Sequence, residues 1–255
     1  MTIFMHYLKR SVFDPIGLLI FIFMPVALVF LNVEINVIDL EDVVRQNVAT
    51  NVVMSIMLMF QVMAGSYICE YVCHDLRSET RWRLLAAPVS LNKYLFSAMA
   101  ASLLFSLITG ALVLVLGYFV YDIYMGNIGI VLAVMILAAL FGQFLGVILS
   151  HVVQKSGTAV AAHIGISWGI FILSGFFGTI RFPIIDNLLA TYGTPYSAAF
   201  RAIMHSGAGI PQWSDGEFLH MSIDTSDALL SLGVLAGFVA ATGIAAWILG
   251  RRNAA

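Results

Sequence analysis

Three ionisable side chains stand within long apolar runs of this sequence, Glu70, His151 and His163. A titratable group in a lipid-embedded helix is costly and commonly marks a proton relay or an ion path. Read that way, the three would be the titrating groups of an ion- or proton-coupled carrier acting alone. Each also has a plainer reading. No carboxylate shares a helix face with either histidine, which suits polar side chains hydrogen-bonded between helices. Glu70 lies near the end of its run and can snorkel to the interface. Cys69 and Cys73 are four residues apart on one helical face, but two thiols without further ligands make a poor metal site. The densest charge follows at once, from Cys73 to Tyr94, where Asp75, Arg77, Glu79, Arg81, Arg83 and Lys93 surround Trp82. Ser78 to Ala87 are mostly good helix formers, and Pro88 ends the run. A short, basic, Trp-bearing helix has the aromatic anchor and the charges of a protein interface; attachment to anionic lipid is the alternative.

These residues are carried by a chain that is 61% hydrophobic and 10% charged, with mean hydropathy +0.97. A soluble domain would be nearer ~50% apolar. The composition therefore predicts an all-α, multi-pass membrane protein. A net charge of −2 gives no pull toward nucleic acid. Both cysteines fall at the inner side of one predicted span, so no disulfide framework is indicated, and the first apolar run lacks the cleavage site of an export signal. The chain contains no G-x-x-x-x-G-K-[ST] phosphate loop and no H-E-x-x-H zinc motif. No nucleophile with a neighbouring base stands out, which leaves it without an enzymatic reading. Any energy source must be external.

Hydropathy predicts six spans, at about 16–33, 52–72, 94–120, 128–153, 158–178 and 228–249, as one transmembrane domain over 1–255. Before them, Ile3, Phe4, Tyr7, Leu8 and Val12 alternate with His6, Lys9 and Arg10, the pattern of an interfacial helix. Pro25 predicts a kink in span one. Glu34 to Thr50 reads as a polar loop. Thr179 to Asp227 is the long polar interruption, with short helices expected at 184–190 and after Thr194, which would cap a helix beginning at Pro195; the second would dip into the membrane. Gly142/Gly146, Gly165/Gly169 and Gly233/Gly237 each form a G-x-x-x-G face, expected to pack within one subunit rather than at a dimer seam. With both termini inside, Lys9, Arg10, Arg77, Arg81, Arg83, Lys93, Lys155, Arg251 and Arg252 are cytoplasmic, nine of the 12 basic residues.

An interfacial basic helix ending in Asp14-Pro15, a proline-containing first span, the inner loop SETRWRLLAAPVS after span two, and six spans in all resemble the type-2 ABC exporter permeases. The loop matches the family pattern at Thr80, Leu84, Leu85, Pro88 and Val89. It departs at Glu79, where glycine is usual, at Trp82, where an acid is common, and at Asp75, which replaces a leading Glu. NLLATYGTPYSAAFRAI resembles the family's re-entrant outer segment. The resemblance implies a cell-membrane exporter subunit that hydrolyses nothing itself. It would work with a second permease copy or a related permease and with cytoplasmic ATPase subunits that hold ATP and magnesium. Asp75, Arg77, Glu79, Thr80, Arg81, Trp82, Arg83, Leu84, Leu85 and Pro88 would dock the ATPase as a coupling helix. Spans two and five would face the dimer seam, which makes Asn51, Ser55, Met59, Gln61, His163, Ser167, Trp168 and Phe171 the candidate pathway residues. The cargo, whether a drug-like hydrophobe, a peptide, a lipid, a glycan precursor or sodium, stays open.

Overall fold

Amphipathic α1 (Ile3–Phe13) stops at Asp14, whose carboxylate accepts from the Ile16 amide while Pro15 takes the first helical position. That cap restarts the chain as α2 (Pro15–Leu18), a π turn (Leu19–Phe23) and α3 (Met24–Val37), which together form the first span. Pro25 has no N–H to return to the preceding turn. The ladder there takes up one extra residue, with the Met24 amide donating to the Leu19 carbonyl. The computed structural model of the chain describes residues 3–37, 42–77, 91–153, 155–175, 192–208, 212–214, 217–219 and 224–252.

The second span is α4 (Asp42–Met63) and α5 (Ser66–Arg77), joined at Ala64 and Gly65. Then come α6 (Leu91–Tyr121), α7 (Ile128–Val152), α8 (Ser156–Leu173), α9 (Pro195–Ile203) running into a π turn (Met204–Ala208), and α10 (Thr225–Arg252). A hairpin of β1 (Gln212–Ser214) and β2 (Glu217–Leu219) pairs Trp213 with Phe218. Six helical segments among the described residues are long and apolar enough to cross a membrane. Glu34 to Thr50 is not a loop over its described residues, because α3 runs on to Val37 and α4 starts at Asp42. Hydropathy marks only the apolar part of a helix. Beyond it the polar side chains find partners, with Arg45 3.9 Å from Glu34, Gln46 donating to the Asp122 carbonyl and Thr50 to that of Gln46.

The innermost span is the second, 94% of whose apolar window is buried, against 22% for α8 and 17% for α10. It bends at Gly65 through three-residue hydrogen bonds, Gly65 to Val62 and Ile68 to Gly65, and α7 crosses it there. A Cβ on Gly142 would stand 2.1 Å from the Val62 carbonyl oxygen, and one on Gly146 2.4 Å from that of Gly65. This G-x-x-x-G face packs within the subunit as expected. The other two do not, since no described atom lies within 4 Å of a Cβ built at Gly165, Gly169, Gly233 or Gly237. Phe96, Phe119 and Trp247 point outward from α6 and α10, as membrane-facing helices require.

Thr194 caps α9 as its sequence suggests, in a reciprocal capping box with Ser197 and with Pro195 as the first helical residue. Nearly all of α9 is buried, against α4, α7 and α10. The loop before α7 packs on its C-terminal π turn, where the Asn127 amide donates to the Ser206 carbonyl. Gly126 there has φ +62°, and a Cβ would meet the Ala208 nitrogen at 2.4 Å. Gly126→Ala is therefore expected to destabilise the protein by about 2–3 kcal/mol, from left-handed strain plus overpacking. Thermal unfolding in detergent measures it.

Candidate functional site

Among the described residues a cavity and, at the opposite end of the second span, a cluster of polar side chains stand out in this apolar bundle. The cavity holds about 300 Å³ between α3, α4, α8 and α9. Its lining includes Asn32 and Leu28 from α3, Asn51, Ser55 and Met59 from α4, Trp168 and Phe171 from α8, and Phe200 from α9. The i, i+4, i+8 spacing of Asn51, Ser55 and Met59 aligns them on one helix face. Ser55 donates to the Asn51 carbonyl at 2.7 Å, and Asn32 to that of Leu28 at 2.8 Å. Phe171 is fixed edge-on between Trp168 and Tyr196, with centroids 6.3 and 5.4 Å away. Tyr196, fully buried, reaches the Met59 carbonyl at 3.4 Å, so α9 props the aromatic wall against α4.

Five of the eight pathway candidates thus share one cavity: Asn51, Ser55, Met59, Trp168 and Phe171. Gln61 does not, for two residues of helix turn it about 200° from Met59. It donates instead to the Ser106 carbonyl at 2.7 Å, and Gly110 leaves room for its amide. His163 and Ser167 lie on the Phe171 face of α8, two turns and one turn farther toward the start of that helix. His163 donates from Nε2 to the Gly142 carbonyl at 2.9 Å, while its Nδ1 and the Ser167 hydroxyl meet no hydrogen-bond partner among the described residues. The residues Gly165-Ile166-Ser167-Trp168-Gly169 spell G-x-S-x-G, which corrects a motif reading that finds no such nucleophile-elbow string. Ser167 sits in mid-helix and fully buried rather than on the strand-to-helix turn that exposes a nucleophile.

At the other end, α1, α5 and α6 meet around Asp75. Its carboxylate accepts from the Tyr7 and Tyr94 hydroxyls, the latter at 2.8 Å, and lies 3.0 Å from His74 Nδ1. Arg10 reaches Glu70 at 3.0 Å and Asp75 at 3.7 Å, with its guanidinium 4.6 Å over the Tyr71 ring, and the Ser11 and Tyr71 hydroxyls are 2.7 Å apart. Burial, then the bond to Asp75, pushes the Tyr7 phenol above its ordinary value. Asp75, read above as a docking residue, is thus the hub of a clamp on α1. Such clustering escapes sequence reasoning because its members are up to 87 positions apart.

Of the other loop residues, Arg77 ends α5, and Glu79, Thr80, Arg81, Trp82, Arg83, Leu84, Leu85 and Pro88 lie outside the described residues, as does the expected helix at 184–190. The three ionisable groups are not brought together: Glu70 pairs with Arg10, His151 donates to the Val147 carbonyl at 2.7 Å, and His163 is held by Gly142. Cys69 and Cys73 are free thiols directed at the Gly146 and Ser150 carbonyls of α7. No group of metal-binding side chains occurs among the described residues.

Six helical segments long and apolar enough to cross a membrane, three of them bordering the cavity, define a multi-pass membrane protein. The family model described as ABC-2 family transporter protein matches residues 24–248, and the chain belongs to that family as a permease. No curated protein matches it.

Proposed function

We propose that this permease is the membrane subunit of an ATP-driven exporter, powered by separate cytoplasmic ATPase subunits that bind ATP and magnesium. The observation that carries the reading is family membership over residues 24–248, joined to a sequence with no phosphate-binding loop of its own. The basic residues favour a cell-membrane protein with both termini in the cytoplasm. On this reading the segment from Arg77 to Pro88 is the coupling helix, with Trp82 as anchor among Arg81 and Arg83. A second permease copy or a related chain completes the pathway, to which the cavity of Asn51, Ser55, Met59, Trp168 and Phe171 contributes. Nucleotide-driven closure of the ATPases draws the two coupling helices together and alters the packing that shapes the cavity. The separation of Glu70, His151 and His163 weighs against a carrier that works alone.

Gentle purification through a terminal tag is expected to bring down an ATPase at stoichiometric abundance. Changing Arg81, Trp82 and Arg83 together to alanine should abolish that association while the permease still elutes as a folded species. A well-behaved protein that comes alone would remove the engine from this reading.

A further inference from the structure

Two arginines of the bundle have carboxylates to answer them, Arg10 with Glu70 and Asp75, and Arg45 with Glu34. Arg201 has none. It stands on α9, whose other residues are almost all buried, and is itself only part-exposed. Its Nε is sealed from solvent without a hydrogen-bond partner, and its guanidinium lies 5.0 Å from the centroid of the Tyr192 ring. Among the described residues it makes no hydrogen bond and no ion pair. The two Nη groups, unlike Nε, are not sealed. Packing and the Tyr192 ring therefore fix the fork, while its open end presents unanswered N–H donors. Glu34 and Asp224, carboxylates of the same end of the bundle, are engaged elsewhere, the first by Arg45 and Tyr121 and the second by the Ser226 hydroxyl and the Asp227 amide. Arg251 also stacks on a ring, that of Trp247 at 4.1 Å, but it is exposed at the far end of α10, where water serves it.

The level of Arg201 in the bundle narrows the ligand. Tyr196 reaches the Met59 carbonyl in the second span, and Ser206 accepts from Asn127 just before α7. Arg201 lies between them, about 7 Å of helix rise from Ser206. At 25 residues α7 is longer than a ~30 Å hydrocarbon core, so its first residues stand in the headgroup layer and Arg201 near the boundary beneath it. A fixed guanidinium there gives up hydration and gains no internal countercharge. Its planar fork matches the paired oxygens of a phosphate, the anion that lipids bring to this depth. We propose that Arg201, backed by Tyr192, is the receptor for one phosphate group, carried by an anionic phospholipid or present as free phosphate. Nothing in this site rests on the exporter reading.

Native mass spectrometry of the full-length permease, delipidated in detergent, counts the molecules bound. Dioleoylphosphatidylglycerol should occupy one saturable site at least ~10-fold more tightly than dioleoylglycerol, which has the same chains and no phosphate. Arg201→Gln should weaken that site by about 10-fold or more. Arg201→Lys, which keeps the charge without the fork, should weaken it several-fold. Arg251→Gln should leave it unchanged. Inorganic phosphate separates the two sources. Displacement of the lipid by phosphate makes the free anion a sufficient ligand, and retention of the lipid makes the headgroup the ligand; in either case loss on Arg201→Gln upholds the site. Equal binding of the two lipids overturns it on the unmutated protein, with no variant required to fold. Undiminished binding by Arg201→Gln, or equal loss in Arg201→Gln and Arg251→Gln, would overturn it as well, since the lipid would then be answering surface charge in general.

Discussion

Gly142→Val is expected to cost about 3 kcal/mol or more and to leave little monodisperse protein after mild heating. The Cβ alone would stand 2.1 Å from the Val62 carbonyl oxygen and 2.8 Å from two further backbone atoms of the same residue. A flexible side chain could give way, but a helix backbone cannot, so α7 must withdraw from the second span where that span bends at Gly65. Overpacking in a close-packed interior costs ~1–3 kcal/mol when side chains can adjust, and this site lies at or above the top of that range. The consequence reaches beyond the crossing. His163 hangs on the Gly142 carbonyl, so displacement of α7 also pulls on the helix that carries Trp168 and Phe171. Gly233→Ala is the internal control. No described atom approaches its Cβ position, and alanine is the better helix former by ~1 kcal/mol, so its midpoint should match or exceed that of the parent. The temperature at which half of each variant loses its monodisperse elution measures both. Similar losses in the two would mean that glycine's flexibility, and not the approach of two backbones, governs the effect.

The contrast between these two glycines marks where sequence reading stops. Both belong to G-x-x-x-G pairs in apolar helices, and nothing local separates them. In lipid the outward and inward faces are alike apolar, so the periodicity that orients a helix in a soluble protein is weak here. The spans themselves were legible because their length and hydropathy answer to the membrane alone. The start of α9 was legible because Thr194 and Pro195 act within a single turn. The extension of α4 back to Asp42 was not, since polar residues that continue a helix past the apolar zone look like loop until Gln46 and Thr50 are seen to have partners. The cavity was half legible: Asn51, Ser55 and Met59 lie on one face, but Gln61 was grouped with them by polarity when the helical turn sends it to α6. Family resemblance supplied which spans to inspect and could not supply their rotation.

Asp75→Ala is expected to free α1 from the bundle and to destabilise the protein by about 2–4 kcal/mol. The carboxylate is the shared acceptor for two tyrosines that are 3% and 2% exposed; Tyr94 keeps a longer bond to the Tyr71 carbonyl at 3.4 Å, so the cost of a buried hydroxyl losing its partner, ~1–3 kcal/mol, falls mainly on Tyr7. The Arg10–Glu70 pair would remain, but at 28% and 43% side-chain exposure it contributes only ~1 kcal/mol or less. Hydrogen exchange read peptide by peptide should show faster exchange at 3–13 with little change in α7. The decisive comparison adds Tyr7→Phe and Tyr94→Phe to the same chain. With both hydroxyls gone the stranded donors are gone too, so the triple variant should regain a large part of the loss, a coupling that simple removal of packing would not produce. Additive loss would instead show that the carboxylate stabilises through His74 and Arg10 rather than through the tyrosines. Alkali offers a separate check. Burial and then Asp75 raise the Tyr7 phenol above the ordinary 10.0, so its contribution is complete below that pH and declines as pH climbs toward the folded-state value. Asp75 stands at the root of the segment from Arg77 to Pro88, and the same variant asks whether the proposed coupling helix needs α1 as its anchor. ATPase association that survives Asp75→Ala while α1 exchanges freely would separate the clamp from docking; loss of both together would make α1 part of the route by which force enters the membrane.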